Sequence, residues 1–72
     1  MPDDARTRDE WVADFAARMG IALPSEDVID TLLELAGVAA HASERTAAPI
    51  ACWLAGQAGL SPADALALAR DI

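Results

Sequence analysis

The chain has 72 residues, so it is one small domain, and its single cysteine, Cys52, excludes an internal disulfide. A formal net charge of -7, with 12 acids against 5 arginines, repels phosphate, so neither nucleic acid nor an anionic membrane surface is an expected partner. The chain is 54% apolar, a quarter of its residues are alanine and it contains no tyrosine or lysine, a composition that excludes disorder and disfavours a sheet.

Residues 1–6 are polar and are expected to fray, leaving 7–72 as a single helical domain. Met1-Pro2-Asp3-Asp4 has neither the basic nor the apolar part of a signal peptide, and no apolar run approaches the roughly 20 residues of a membrane span. A lone thiol suits a reducing compartment, and a cytoplasmic setting is expected.

Thr7 and Glu10 have capping-box spacing, which predicts a first helix over 8–19. Trp11, Val12, Phe15, Ala16 and Met19 fall on one stripe of it, with Glu10, Asp14 and Arg18 opposite. Gly20 stands where a left-handed helix terminator belongs, and Ile21 and Leu23 form an apolar linker. Pro24 breaks the chain. Ser25 is an N-cap, and Glu26 and Asp27 complement the positive end of a second helix running to about residue 43. Its wide apolar arc comprises Val28, Ile29, Leu32, Leu33, Leu35, Ala36, Ala39 and Ala40. This is the longest and most apolar segment, so it is expected at the centre of the core, with Asp30, Glu34, Gly37, His41 and Arg45 on the other side.

Residues 44–49 form a turn. A third helix follows to about residue 58, with Thr46 as its cap and Pro49 in its first turn. It carries two faces: Ile50, Trp53, Leu54, Gln57 and Ala58 on one, and the small residues Ala48, Cys52, Ala55 and Gly59 on the other. Gly59 ends it. Ser61-Pro62-Ala63-Asp64 combines an N-cap serine, a first-turn proline and an acid three residues after the cap, and so starts a fourth helix to about residue 71. Ala65, Leu68, Ala69 and Ile72 are its expected apolar side. The fold class is all-α: a compact four-helix bundle or orthogonal helical array with short connections.

No glycine-rich phosphate loop, serine-nucleophile motif or metal-binding pair is present, so no enzyme, metal or cofactor is expected. The candidate binding residues are His41, Arg45, Pro49 and Glu34. His41 and Arg45 lie one turn apart at the end of the second helix. There they either complement its negative pole and bond its last carbonyls, or hold an anionic ligand. Arg45 is equally placed to pair with Glu44 or Glu34. Glu34 lies two turns from His41, roughly 10 Å along the axis, too far for direct contact. Cys52, on the small-residue strip, reads as a packed thiol. Trp11 and Trp53 read as core residues, with an exposed interface anchor as the alternative.

Asp9-Glu10-Trp11-Val12, the run Ala39-Ala40-His41-Ala42-Ser43-Glu44-Arg45-Thr46-Ala47-Ala48-Pro49-Ile50 and Trp53-Leu54-Ala55-Gly56 together resemble a small helical domain family of unknown function from high-GC bacteria. That family occurs alone or attached to the molybdenum cofactor guanylyltransferase, which makes molybdopterin-guanine dinucleotide. The resemblance spans about 9–72 and carries over onto His41, Arg45, Ala47, Ala48 and Pro49. Thr46 stands where the family has a proline, and Cys52-Trp53 replace a polar residue and a smaller aromatic. It implies an accessory role in molybdenum cofactor biosynthesis. Two functions are expected from this reading. The first is a non-catalytic module that docks a protein partner, or a second copy of itself, through the His41–Pro49 corner. The other is a small-ligand or nucleotide-cofactor binding domain that uses His41 and Arg45.

Overall fold

The computed structural model describes residues 6–72, so the expected fraying of 1–5 lies outside the described residues. Arg6 is described, and its guanidinium pairs with Asp14 at 3.4 Å. The chain is all-α. Four helices run in order: α1 (Arg8–Met19), α2 (Glu26–Ala42), α3 (Ala47–Gln57) and α4 (Pro62–Arg70). Among the described residues there is no strand.

Local chemistry sets most of the boundaries. The Thr7 side chain accepts from the Glu10 N–H at 3.0 Å, and the Glu10 carboxylate accepts from the Thr7 N–H at 3.0 Å, which completes the capping box. Ser25 and Ser61 cap α2 and α4 by accepting from the N–H groups of Val28 and Asp64. α1 and α3 both end in a Schellman arrangement. Gly20, at φ +76°, donates to the Ala17 carbonyl while Ile21 donates to that of Ala16. Gly59, at φ +74°, donates to Gly56 while Leu60 donates to Ala55. These glycines occupy left-handed backbone that a Cβ would strain.

The Thr46 cap does not form. Its backbone is already helical, at φ -69° and ψ -13°, and its side chain accepts no cap bond. The carbonyls of Glu44 and Arg45 take the Ala47 and Ala48 N–H groups instead, at 2.9 and 3.2 Å, so a backbone turn does the work of the side chain. Helices α2, α3 and α4 each stop one residue short of the expected end.

α2 is the central element, since the extensive helix packing in the domain is that of α2 with α3 and of α2 with α4. Leu35, Ala65 and Leu66 form the core there, with Val38, Cys52, Ala55 and Ala69 packed against them. Burying a leucine of this kind stabilises by about 1.5–3 kcal/mol. Cys52 is thus a packed side chain.

On α1 and α4 the expected faces turn differently, and on α3 the structure chooses between the two faces. α3 meets its neighbours through the small strip that contains Cys52 and Ala55, so Ile50, Trp53 and Leu54 point outward at 58, 64 and 56% exposure. Small residues permit closer backbone approach, which brings α3 near enough to close over Leu35. On α4, Leu66 takes the core position expected of Leu68, which lies outside with Ile72. On α1, Trp11 is 54% exposed and is not a core residue. α1 makes no packing comparable to that of the other helices, and Ala16 is its one buried residue. Leu33 of the α2 arc is likewise exposed.

Candidate interaction surface

Two apolar surfaces are left without cover. The first is a groove of about 400 Å³ formed where the last turns of α2 meet α3 and the end of α4. Val38 and Ala42 line one wall, Ile50 and Leu54 the other, and Ala69 and Ile72 the third. Leu54, Ala69 and Ile72 also border a second hollow of about 320 Å³, which carries the surface along α3 and α4 to Leu60 and Leu68. The groove exists because α3 turns its small face inward: the larger side chains it leaves outside cannot reach across to α4.

The second surface lies on α1. Val12 and Ala16 face inward, and Arg8, Asp9 and Val12 share a recess of about 220 Å³ with Ile29, Leu32 and Leu33 of α2. Trp11, Phe15 and Met19 follow one another at four-residue spacing on the outer side, at 54, 48 and 52% exposure. The Trp11 and Phe15 rings stack at a centroid distance of 5.1 Å and an interplanar angle of 32°. Beside them Asp14 accepts from Arg18 and from Arg6, each at 3.4 Å, and the five side chains frame a recess of about 280 Å³. The hydrogen bond and charge of Arg18, reinforced by Arg6, hold the Asp14 carboxyl below its usual range.

The residues singled out in the sequence gather less closely. His41 stands in the last turn of α2, Arg45 in the following turn and Pro49 in the first turn of α3, all exposed. Among the described residues no hydrogen bond or ion pair joins them to one another or to Glu34. Glu34 faces Arg70 of α4 at 4.0 Å rather than Arg45. The end of α2 is closed by Ser43, whose hydroxyl and N–H both donate to the Ala39 carbonyl, at 2.8 and 3.2 Å. None of the four lines the groove, although Ala42, Ser43, Ala47 and Ile50, interleaved with them in sequence, do. The corner is therefore a rim beside the groove.

The groove was not legible in the sequence, because the sequence leaves the two faces of α3 unranked and Leu68 and Ile72 are expected on the packed side of α4. The available signal was the choice offered by α3, which has a large and a small apolar face; helices that approach closely bury the small one. The Arg6–Asp14–Arg18 cluster was not read from the sequence either, although Asp14 and Arg18 are four residues apart on α1 and Arg6 stands two turns before Asp14.

Among the described residues no group of three or more His, Cys, Asp or Glu side chains is arranged to hold a metal ion, and no helix is long and apolar enough to cross a membrane. Fold and surface together define a small all-α domain with an open apolar groove. The chain belongs to the DUF6457 family, a domain of unknown function, whose family model matches residues 3–72. No curated protein and no solved structure matches the chain.

Proposed function

We propose that this domain is a non-catalytic interaction module, completed by another polypeptide and working in the cytoplasm. One observation carries the reading. Among the described residues only Ala16, Leu35, Ala65 and Leu66 are buried, while twelve large apolar side chains are at least 37% exposed. Several of them gather in the groove between α2, α3 and α4 and in the Trp11–Phe15–Met19 stripe of α1, and grouped exposed apolar side chains mark a docking site. The His41–Pro49 corner adjoins the groove and offers an imidazole and a guanidinium to a partner's acidic or polar groups.

The setting in molybdenum cofactor maturation rests on the sequence resemblance described above, and it makes the cofactor guanylyltransferase the first partner to try. Calorimetric titration of that enzyme with the domain should give saturable binding. His41→Ala combined with Arg45→Ala should weaken it by about tenfold or more, a loss of about 1.4 kcal/mol or more. No binding by the unaltered domain would remove the molybdenum setting. Binding indifferent to the double change would remove the corner. The small-ligand alternative has less support, because neither His41 nor Arg45 lines any of the four recesses described above. It makes a separate prediction: molybdopterin-guanine dinucleotide should raise the melting temperature, and the same double change should abolish the rise.

A further inference from the structure

We infer that the groove between α2, α3 and α4 is filled by α1 of a second copy of this chain, in a reciprocal two-fold dimer. The inference rests on the reading of the domain as a module completed by another polypeptide, and it names that polypeptide.

The shapes agree. The outer side of α1 presents Trp11, Phe15 and Met19 as three successive anchors, the pattern by which an amphipathic helix enters an apolar groove. From Trp11 to Met19 the stripe spans roughly 12 Å, within the roughly 16 Å length of α3 that flanks the groove. The chain's own α1 does not fill its own groove. It sits against Ile29 and Leu32 in the first half of α2, whereas the groove begins at Val38 in the second half.

The charges agree as well. Residues 20–72 hold seven acids and two arginines, so two such bodies facing one another repel. Residues 6–19 hold three arginines and three acids. With Arg6 counted this segment is neutral, and α1 itself carries a net charge of only -1, so it meets a second acidic body with little of that repulsion.

The area is of the right size. The chain exposes 5462 Å². A folded monomer of its mass exposes about 4,250 Å², an excess of about 1,200 Å². Counting the five residues outside the described range as wholly exposed still leaves an excess of about 600 Å². These bounds bracket the roughly 800 Å² that each partner contributes to a standard interface. Because every copy supplies one helix and one groove, the two-fold arrangement satisfies both and closes at two chains. His41 and Arg45 lie outside the groove and remain free to meet a different protein.

The test is light scattering and sedimentation of the full chain over a wide concentration range. The mass should rise from 7.5 kDa toward twice that value. Trp11→Ala with Phe15→Ala removes the anchors, and Ile50→Asp with Leu54→Asp spoils the groove. All four side chains are about half exposed, so both variants should retain their helical circular dichroism. Each alone should weaken dimerisation by about 30-fold or more, as hot-spot residues do. Mixing the two should restore a heterodimer, since one has an intact groove and the other an intact helix. In a Trp53→Phe chain, the emission of Trp11 should shift to shorter wavelength as concentration rises.

A chain that stays at 7.5 kDa at every concentration overturns the inference. So does a dimer that both variants leave intact, or two variants that fail to complement. A chain that is monomeric yet still binds the guanylyltransferase sinks the dimer alone and leaves the interaction-module reading standing. A dimer that behaves as described while the guanylyltransferase is ignored supports the inference and removes only the molybdenum setting.

Discussion

The body formed by α2, α3 and α4 and the helix α1 are held in opposite ways. The body is fixed by contact between elements far apart in sequence: Leu35 of α2 meets Ala65 and Leu66 of α4, and Cys52 and Ala55 of α3 close over them. α1 is fixed by its own neighbours. Its start is a capping box, its end is a left-handed glycine, and Asp14 gathers Arg6 and Arg18 along its surface. It has the better-defined termini and the poorer packing. The difference teaches that being helical and being placed are separate achievements. Caps and exposed ion pairs contribute a few tenths to about 2 kcal/mol each, enough to define where a helix begins. Only burial of apolar area anchors it to a core.

The sharpest way to break this comparison is Leu35→Ala. A large-to-small change at a fully packed site costs about 2–5 kcal/mol. A 72-residue domain has about 4–11 kcal/mol of stability in all. Chemical denaturation should therefore show the whole body unfolding at much lower denaturant. At concentrations where the chain is monomeric, deleting residues 1–19 should do less, because α1 buries only Ala16 fully and half-covers Val12. The expected loss is no more than about 2 kcal/mol, with one cooperative transition remaining. A truncated chain that loses the helical signal of α2 to α4 would mean that α1 is a true part of the core.

The two left-handed glycines allow a matched pair of smaller tests. A Cβ built at Gly20 or at Gly59 meets nothing within 4 Å, so alanine there strains the backbone and clashes with nothing. The strain is about 1–2 kcal/mol at each. Gly59→Ala, between α3 and α4, should lower global stability by that amount. Gly20→Ala should show mainly as faster amide exchange within α1. Equal effects of the two on the denaturation midpoint would erase the distinction between body and helix.

The smallest expected effect is one of pH. The Asp14 carboxyl is held below its usual range by Arg18 and Arg6, so it contributes to stability above its unfolded pKa. That contribution is lost as pH falls below about 4 and through the folded value. The side chain is exposed, so salt should screen the effect. Acidification should reduce protection in α1, measured by exchange, before it disturbs the body, and Asp14→Asn should remove that step.

What this sequence determined by itself is what depends on near neighbours along the chain. Four helices, their serine and capping-box starts and their two glycine stops were all legible, because a cap is a contact between residues three or four positions apart. The central place of α2 was legible too, from the width of its apolar arc. What only the tertiary structure decided is which apolar face turns inward where a helix has more than one. Trp53 and Leu54 lost to Cys52 and Ala55, and Leu68 lost to Leu66, because each helix can turn only one face toward Leu35 of α2. Trp11 and Phe15 lost their expected place in the core because no other helix packs closely over them. The same competition created the groove and left the large apolar side chains outside. Hydrophobic periodicity records that a stripe is apolar, but the packing of one helix on another chooses the stripe that is covered.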